Sequence, residues 1–127
     1  MLKHALCALY PRTEYFPGME DMQVDDFVRR FRRESSRLML LGVYTALALF
    51  VISPLFTVYV PLPSFLLPRR ALDRHAERIA NLPVYPLRSL IFLLKLVAGL
   101  CWGAHPAVRE RLGLPPLPPD PQDWRVA

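Results

Sequence analysis

The sequence is poor in cysteine, in glycine and in metal-binding patterns. Only two cysteines, Cys7 and Cys101, occur in 127 residues, too few for a disulfide scaffold or a four-cysteine zinc site. The five glycines are scattered and form neither a GxGxxG motif nor a phosphate-binding loop. The histidines His4, His75 and His105 fit no metal-ligand spacing. We therefore expect no catalytic residue, no cofactor-binding residue and no metal ligand, so that the chain is not an enzyme by itself.

Charged side chains are absent from a long central stretch. The 31 residues from Leu38 to Pro68 carry none, whereas the whole chain has a net charge of +5. A membrane-spanning helix needs about 20 apolar residues, and this segment is longer. Pro54 interrupts it, however, so a straight helix is expected only over about 37–53. Three alternatives stay open: the segment spans a membrane, dips into one leaflet, or docks on a partner protein.

Arginines border this uncharged stretch on both sides. Acidic residues are interleaved with them and the apolar segment separates the two clusters, which favours anionic lipid headgroups over nucleic acid as their partner. The competing interpretation is two solvated helix faces with local ion pairs. The residues that we predict to bind headgroups are Arg29, Arg30, Arg32, Arg33, Arg37, Arg69, Arg70 and Arg74.

The hydrophobic spacing predicts an all-α fold of four to five helices without a sheet. Residues 1–20 are expected to form an extended arm, 21–114 a helical domain that contains the apolar segment 38–68, and 115–127 a proline-rich strap. No secretory signal is expected, because the apolar run before Pro11 is too short. The helices are predicted over 21–36 with Asp21 as N-cap, 37–53, 68–81 and 86–103, with a short one from His105–Pro106 to Gly113.

The C-terminal half resembles a known family. Residues 66–114 contain Tyr85-Pro86-Leu87-Arg88, then an apolar helix with Leu94-Lys95, then His105-Pro106-Ala107-Val108 and a closing Leu112-Gly113. This order is similar to the helical segment before the flavin domain of bacterial long-chain alcohol oxidases, of the glucose–methanol–choline (GMC) oxidoreductase family. It also resembles small subunits of the gluconate 2-dehydrogenase kind. The family's flavin motif and catalytic histidine are absent here.

The resemblance implies an accessory role for this chain. A partner flavoprotein would bind FAD and oxidise an apolar alcohol, sterol or lipid, while this chain would tether it to the membrane, on the cytoplasmic side of the bacterial inner membrane. The expected partner interface consists of Tyr85, Arg88, Phe92, Lys95, Trp102 and Trp124. The alternative is a stand-alone small membrane protein that organises lipids or other membrane proteins.

Overall fold

The structure, a computed structural model, describes residues 1–119 and Pro121, and these residues form helices and loops without a strand. The all-α prediction is confirmed for this part of the chain. The short 3₁₀ turns are Met19–Asp21 and Ser64–Leu66. The α-helices are α1 (Leu2–Leu9), α2 (Val24–Glu34), α3 (Arg37–Ile52), α4 (Pro54–Thr57), α5 (Arg69–Ala80), α6 (Tyr85–Ala104) and α7 (Pro106–Arg111).

The two apolar helices α3 and α6 form the centre of the core. Val43, Ala46 and Phe50 of α3 are fully buried, as are Ile91 and Leu94 of α6. These residues recur every three or four positions, so each helix presents one stripe to the other. Full burial of such a side chain contributes about 1.5–3 kcal/mol relative to exposure. The core therefore uses one face of each helix and leaves the other face to the surroundings.

The first residues are not the extended arm that the sequence suggested. Leu2, Ala5 and Leu6 are buried in the same core as α3 and α6, on a helix that ends at Leu9. The expectation is wrong here because these side chains already lie at helical spacing, one turn apart. Between α1 and the turn Met19–Asp21, residues 10–18 lack regular structure, and the helical unit begins at Leu2 rather than at residue 21.

The start of α2 also differs from the prediction. Asp21 does not cap it, since α2 begins at Val24. The Asp21 carboxylate instead accepts hydrogen bonds from Arg12 Nε at 2.9 Å and from the Gly18 amide at 3.1 Å. A carboxylate that meets a guanidinium gains a stronger, charge-assisted interaction than a helix cap provides. Asp21 therefore fastens the 10–18 loop.

The other helix ends follow the sequence more closely. Ser36 caps α3 by accepting a hydrogen bond from the Met39 amide at 3.2 Å, and α5 begins at Arg69, one residue after Pro68. His105 caps α7, because its Nδ1 accepts from the Ala107 amide at 3.3 Å. Gly113 follows α7 with φ +69°, the left-handed conformation that favours glycine.

Candidate membrane-binding surface

Half of the exposed large apolar side chains among the described residues lie in the uncharged stretch 38–68. Phe56 is 73% exposed and Tyr59 80% exposed, although their aromatic rings are largely apolar. Monomeric soluble proteins rarely expose large contiguous apolar patches, so this density indicates an interaction surface. The members of this set, which we call the apolar surface, are Leu38, Leu41, Tyr44, Ile52, Leu55, Phe56, Tyr59, Leu62, Phe65 and Leu66.

A buried histidine holds the chain where α3 breaks into α4. Pro54 has no N–H, so the Phe50 carbonyl four residues earlier lacks its helical donor. His75 Nε2 supplies that donor at 2.8 Å, from α5. His75 Nδ1 lies 2.5 Å from the Thr57 hydroxyl, and Arg78 donates to the Thr57 carbonyl at 2.5 Å. Thus α5 provides donors for the Phe50 and Thr57 carbonyls at the break, and it fixes the base of the apolar surface.

The partners of His75 determine its tautomer. The Phe50 carbonyl can only accept, so Nε2 carries the proton, and in the neutral ring Nδ1 accepts from the Thr57 hydroxyl. A protonated ring would force the Thr57 hydroxyl to accept instead and to donate to the Ser53 carbonyl, 3.2 Å away. The hydrogen bonds thus accommodate both forms of the ring, and burial favours the neutral one by lowering the pKa of His75.

Stability should therefore fall in mild acid. In the unfolded chain the pKa of histidine is about 6.5, and burial lowers the pKa of both His75 and His4 in the folded chain. Below about pH 6.5 the unfolded state binds more protons, so the stabilisation present above this pH is lost as the pH approaches the folded pKa. We expect the thermal midpoint in detergent to decrease from about pH 7 to pH 5. His75→Gln should flatten this decrease; an unchanged pH profile would assign it to other groups.

The first arginine cluster lies on the exposed side of α2 and at the start of α3. Arg29 pairs with Asp26, and the guanidinium of Arg32 lies 5.7 Å from the ring centre of Tyr44. Arg30, Arg33 and Arg37 are exposed and form no ion pair within the described residues. Three of the five predicted cations are therefore available to an external anion.

The second cluster lies on α5 and is partly used by the chain itself. Arg69 pairs with Glu20 at 3.3 Å and with Asp73 at 3.6 Å, and Arg74 donates to the Arg70 carbonyl at 3.4 Å. All three arginines are exposed, and surface pairs of this kind contribute little, about 0–1 kcal/mol. Because these contacts are weak, the arginines can exchange them for an external anion.

The residues predicted for a partner interface divide into two groups. Tyr85 is 71% exposed and Phe92 64% exposed on α6, and the Arg88 guanidinium lies 5.8 Å from the Tyr85 ring centre. Lys95 is half-buried on the same helix. Three of these side chains are exposed and Lys95 is half-buried, and their role as a partner interface stays a prediction.

Trp102 contacts its own chain instead. Its Nε1 donates to the Pro17 carbonyl at 3.0 Å, and its ring packs on those of Tyr10 and Phe16. The loop folds closely on itself at Gly18, where an added Cβ would lie 2.5 Å from the Arg12 amide nitrogen. Trp102 thus fastens the 10–18 loop to α6. Trp124 and most of the proline-rich strap lie outside the described residues, whereas 114–119 have no regular secondary structure.

One helix of the described part is long and apolar enough to cross a membrane. This helix is α6, with a mean hydropathy of 1.6 over its best window, of which 22% is buried inside the protein. The sequence pointed to the 38–68 stretch instead, but there α3 has only 16 residues before the Pro54 break. Both helices are apolar, and α6 is the candidate membrane span because it is longer than α3.

The chain has no detected similarity to known proteins. Comparisons with protein families, with curated proteins and with solved structures find no match. The resemblance to accessory segments of GMC oxidoreductases therefore stays a prediction that rests on the motifs of residues 66–114.

Sequence reasoning did not anticipate the bonds of His75. It found only that His75 fits no metal-ligand spacing, whereas this residue donates to the Phe50 carbonyl and contacts the Thr57 hydroxyl at the Pro54 break. A usable signal does exist: a proline inside an apolar run leaves one carbonyl without a donor, and the next helix, α5, carries one histidine on its apolar side, between Ala71 and Ile79. Among the described residues, no group of three or more metal-binding side chains comes together.

Proposed function

We propose that this chain is a membrane-bound tether whose apolar surface enters the lipid and whose arginines contact the headgroups. The observation that carries the proposal is the exposure of Leu55, Phe56, Phe65 and Leu66 around the α3–α4 break, between two arginine clusters. Water is a poor solvent for these side chains, and each CH₂ moved into lipid gains about 0.8 kcal/mol. The bilayer therefore accounts for both the apolar surface and its arginine borders.

A dip into one leaflet is the form of binding that agrees best with the geometry. Arg37 and Arg69 border the uncharged stretch at its two ends, and a dip keeps both clusters at the same layer of headgroups. The Pro54 break allows the chain to turn back, and His75 satisfies the Phe50 carbonyl that the break frees. An unpaired carbonyl in hydrocarbon would be costly, which is why a broken helix needs such a bond.

The finer proposal adds a partner protein. The exposed Tyr85, Phe92 and Arg88 of α6 favour an additional docking surface, since aromatic residues and arginine are enriched in interfaces. The resemblance suggests an FAD-dependent GMC-type enzyme on the cytoplasmic side of the bacterial inner membrane. In this arrangement the tether would hold the enzyme where apolar alcohols or lipids are concentrated.

Purification from native membranes tests both levels of the proposal. The tagged chain should sediment with membranes, resist washing with high salt and alkaline carbonate, and dissolve in mild detergent. A stoichiometric GMC-type protein with a flavin absorption spectrum in the eluate would support the accessory role. A membrane-bound but colourless chain without such a protein would favour the stand-alone alternative, and a chain found in the soluble fraction would refute the tether itself.

A further inference from the structure

Three adjoining cavities on the outer side of α6 share one residue, Lys95. The first, of about 230 Å³, lies towards α5, and Asp73, Glu77 and Asn81 provide polar groups to it among apolar side chains. The second, of about 310 Å³, is lined by Tyr85, Arg88 and Phe92, and the third, of about 340 Å³, by Phe92, Leu96 and Leu100. Lys95 lines all three, so the groove changes from acidic to basic to apolar around this residue.

The ammonium group of Lys95 lacks a counter-ion among the described residues. Its side chain is half-buried, yet it forms no ion pair or hydrogen bond with the described part of the chain. The ammonium group stands where the three cavities meet and is therefore available to an external anion. Arg88 lines the neighbouring cavity, and within the described part of the chain its guanidinium contacts only the Tyr85 ring, which leaves its N–H donors available to the same anion.

The acidic cavity requires a different group. Asp73 already pairs with Arg69 at 3.6 Å, whereas the Glu77 carboxylate has no partner among the described residues. Asn81 donates to the Glu77 carbonyl at 2.9 Å, so its side-chain oxygen is free to accept. No aromatic ring lines this cavity, which disfavours a quaternary ammonium. Carboxylate and amide oxygens fit a primary ammonium, which can donate hydrogen bonds to both.

The apolar cavity continues the groove along the helix. Phe92, Leu96 and Leu100 recur every four residues and are about half or more exposed. They form a stripe opposite the face that packs on α3. A ligand that fills all three cavities therefore has an ammonium end, a phosphate-like anion beside it, and a long apolar tail.

We propose that the groove binds one phospholipid with an ethanolamine headgroup. Its phosphate contacts Lys95 and Arg88, its primary ammonium contacts Glu77, and an acyl chain lies along Phe92, Leu96 and Leu100. The inference rests on the proposed membrane tether, because the ligand comes from the bilayer. It adds a selectivity that the arginine clusters, which attract any anionic lipid, do not provide.

The experiment uses the full chain in uncharged detergent micelles. The chain is titrated with dihexanoyl-phosphatidylethanolamine, -phosphatidylcholine and -phosphatidylglycerol while the backbone amide signals of α6 are followed by NMR. We expect the ethanolamine lipid to bind about tenfold more tightly than the other two, since only it satisfies Lys95 and Glu77 together. Lys95→Met should weaken its binding about tenfold, and Lys95→Arg should restore most of the affinity.

The decisive variant is Glu77→Gln, which should remove the preference for ethanolamine over choline and glycerol headgroups. Glu110→Gln on α7 is the matched control, because Glu110 is exposed and lines none of the three cavities. Equal binding of the three lipids, a preference for phosphatidylglycerol, no binding, or a preference that survives Glu77→Gln would each overturn the site. Flotation of the wild-type chain with vesicles tests the tether separately, so the two failures can be told apart.

Discussion

Replacement of Arg29, Arg30, Arg32 and Arg33 by glutamine is expected to weaken binding of the purified chain to anionic vesicles by about a hundredfold or more. Each arginine near an anionic surface contributes about 1 kcal/mol, and all four side chains are exposed on α2. The affinity is measured by vesicle sedimentation or flotation over a range of lipid concentrations. Because the attraction is screened by ions, the difference between wild type and variant should shrink at high salt.

The matched control retains the charges. Replacement of the same four arginines by lysine should preserve most of the affinity, since headgroup attraction depends mainly on charge. Vesicles of phosphatidylcholine alone should show a much smaller difference between wild type and the glutamine variant. If the glutamine variant binds anionic vesicles as tightly as wild type, the cluster is only a solvated helix face with local ion pairs such as that between Arg29 and Asp26.

Phe50→Ala is expected to cost about 3–5 kcal/mol of unfolding free energy. Phe50 of α3 is fully buried. The centre of its ring lies 4.7 Å from that of the His75 ring and 6.3 Å from that of the His4 ring. Truncation would leave a cavity beside the polar bonds of the Pro54 break and loosen the base of the apolar surface. For a chain of this size, such a loss is a large part of the total free energy of unfolding. Chemical denaturation in detergent, followed by circular dichroism, measures it.

Phe56→Ala is the matched control, six residues later. Phe56 is 73% exposed, so the same truncation should change the unfolding free energy by less than about 0.5 kcal/mol. The same variant should nevertheless weaken vesicle binding, because Phe56 belongs to the apolar surface. A large loss of stability in Phe56→Ala, or none in Phe50→Ala, would show that the assignment of core and surface around α4 is wrong.

The features of the fold that were predicted correctly depend mostly on local sequence patterns. Helices α3 and α6, the His105–Pro106 start of α7 and the glycine after α7 depend on residues within a few positions of one another, so periodicity and the rules for helix ends suffice. The first helix was missed although Leu2, Ala5 and Leu6 have helical spacing. It is only eight residues long, and such a helix is stable mainly through its packing on α3, α5 and α6.

The surface was less predictable, because it depends on contacts between distant residues. Trp102 looked like a partner residue, yet it meets Pro17, which is 85 positions earlier in the chain. The bonds of His75 to Phe50 and Thr57 likewise join α5 to α3 and α4. Composition could identify the uncharged stretch, but only tertiary structure shows that its members Phe56 and Tyr59 remain exposed while Phe50 is buried.

Photo-crosslinking in native membranes tests the central proposal most directly. A photoreactive phenylalanine analogue at position 56 reports what touches the apolar surface in the cell, and the same analogue at position 50 reports the interior. The tether predicts lipid adducts, detected by mass spectrometry, from position 56 and crosslinks within the chain from position 50. Adducts from position 56 to protein alone, without lipid, would contradict the account and would make the apolar surface a docking site for a partner protein.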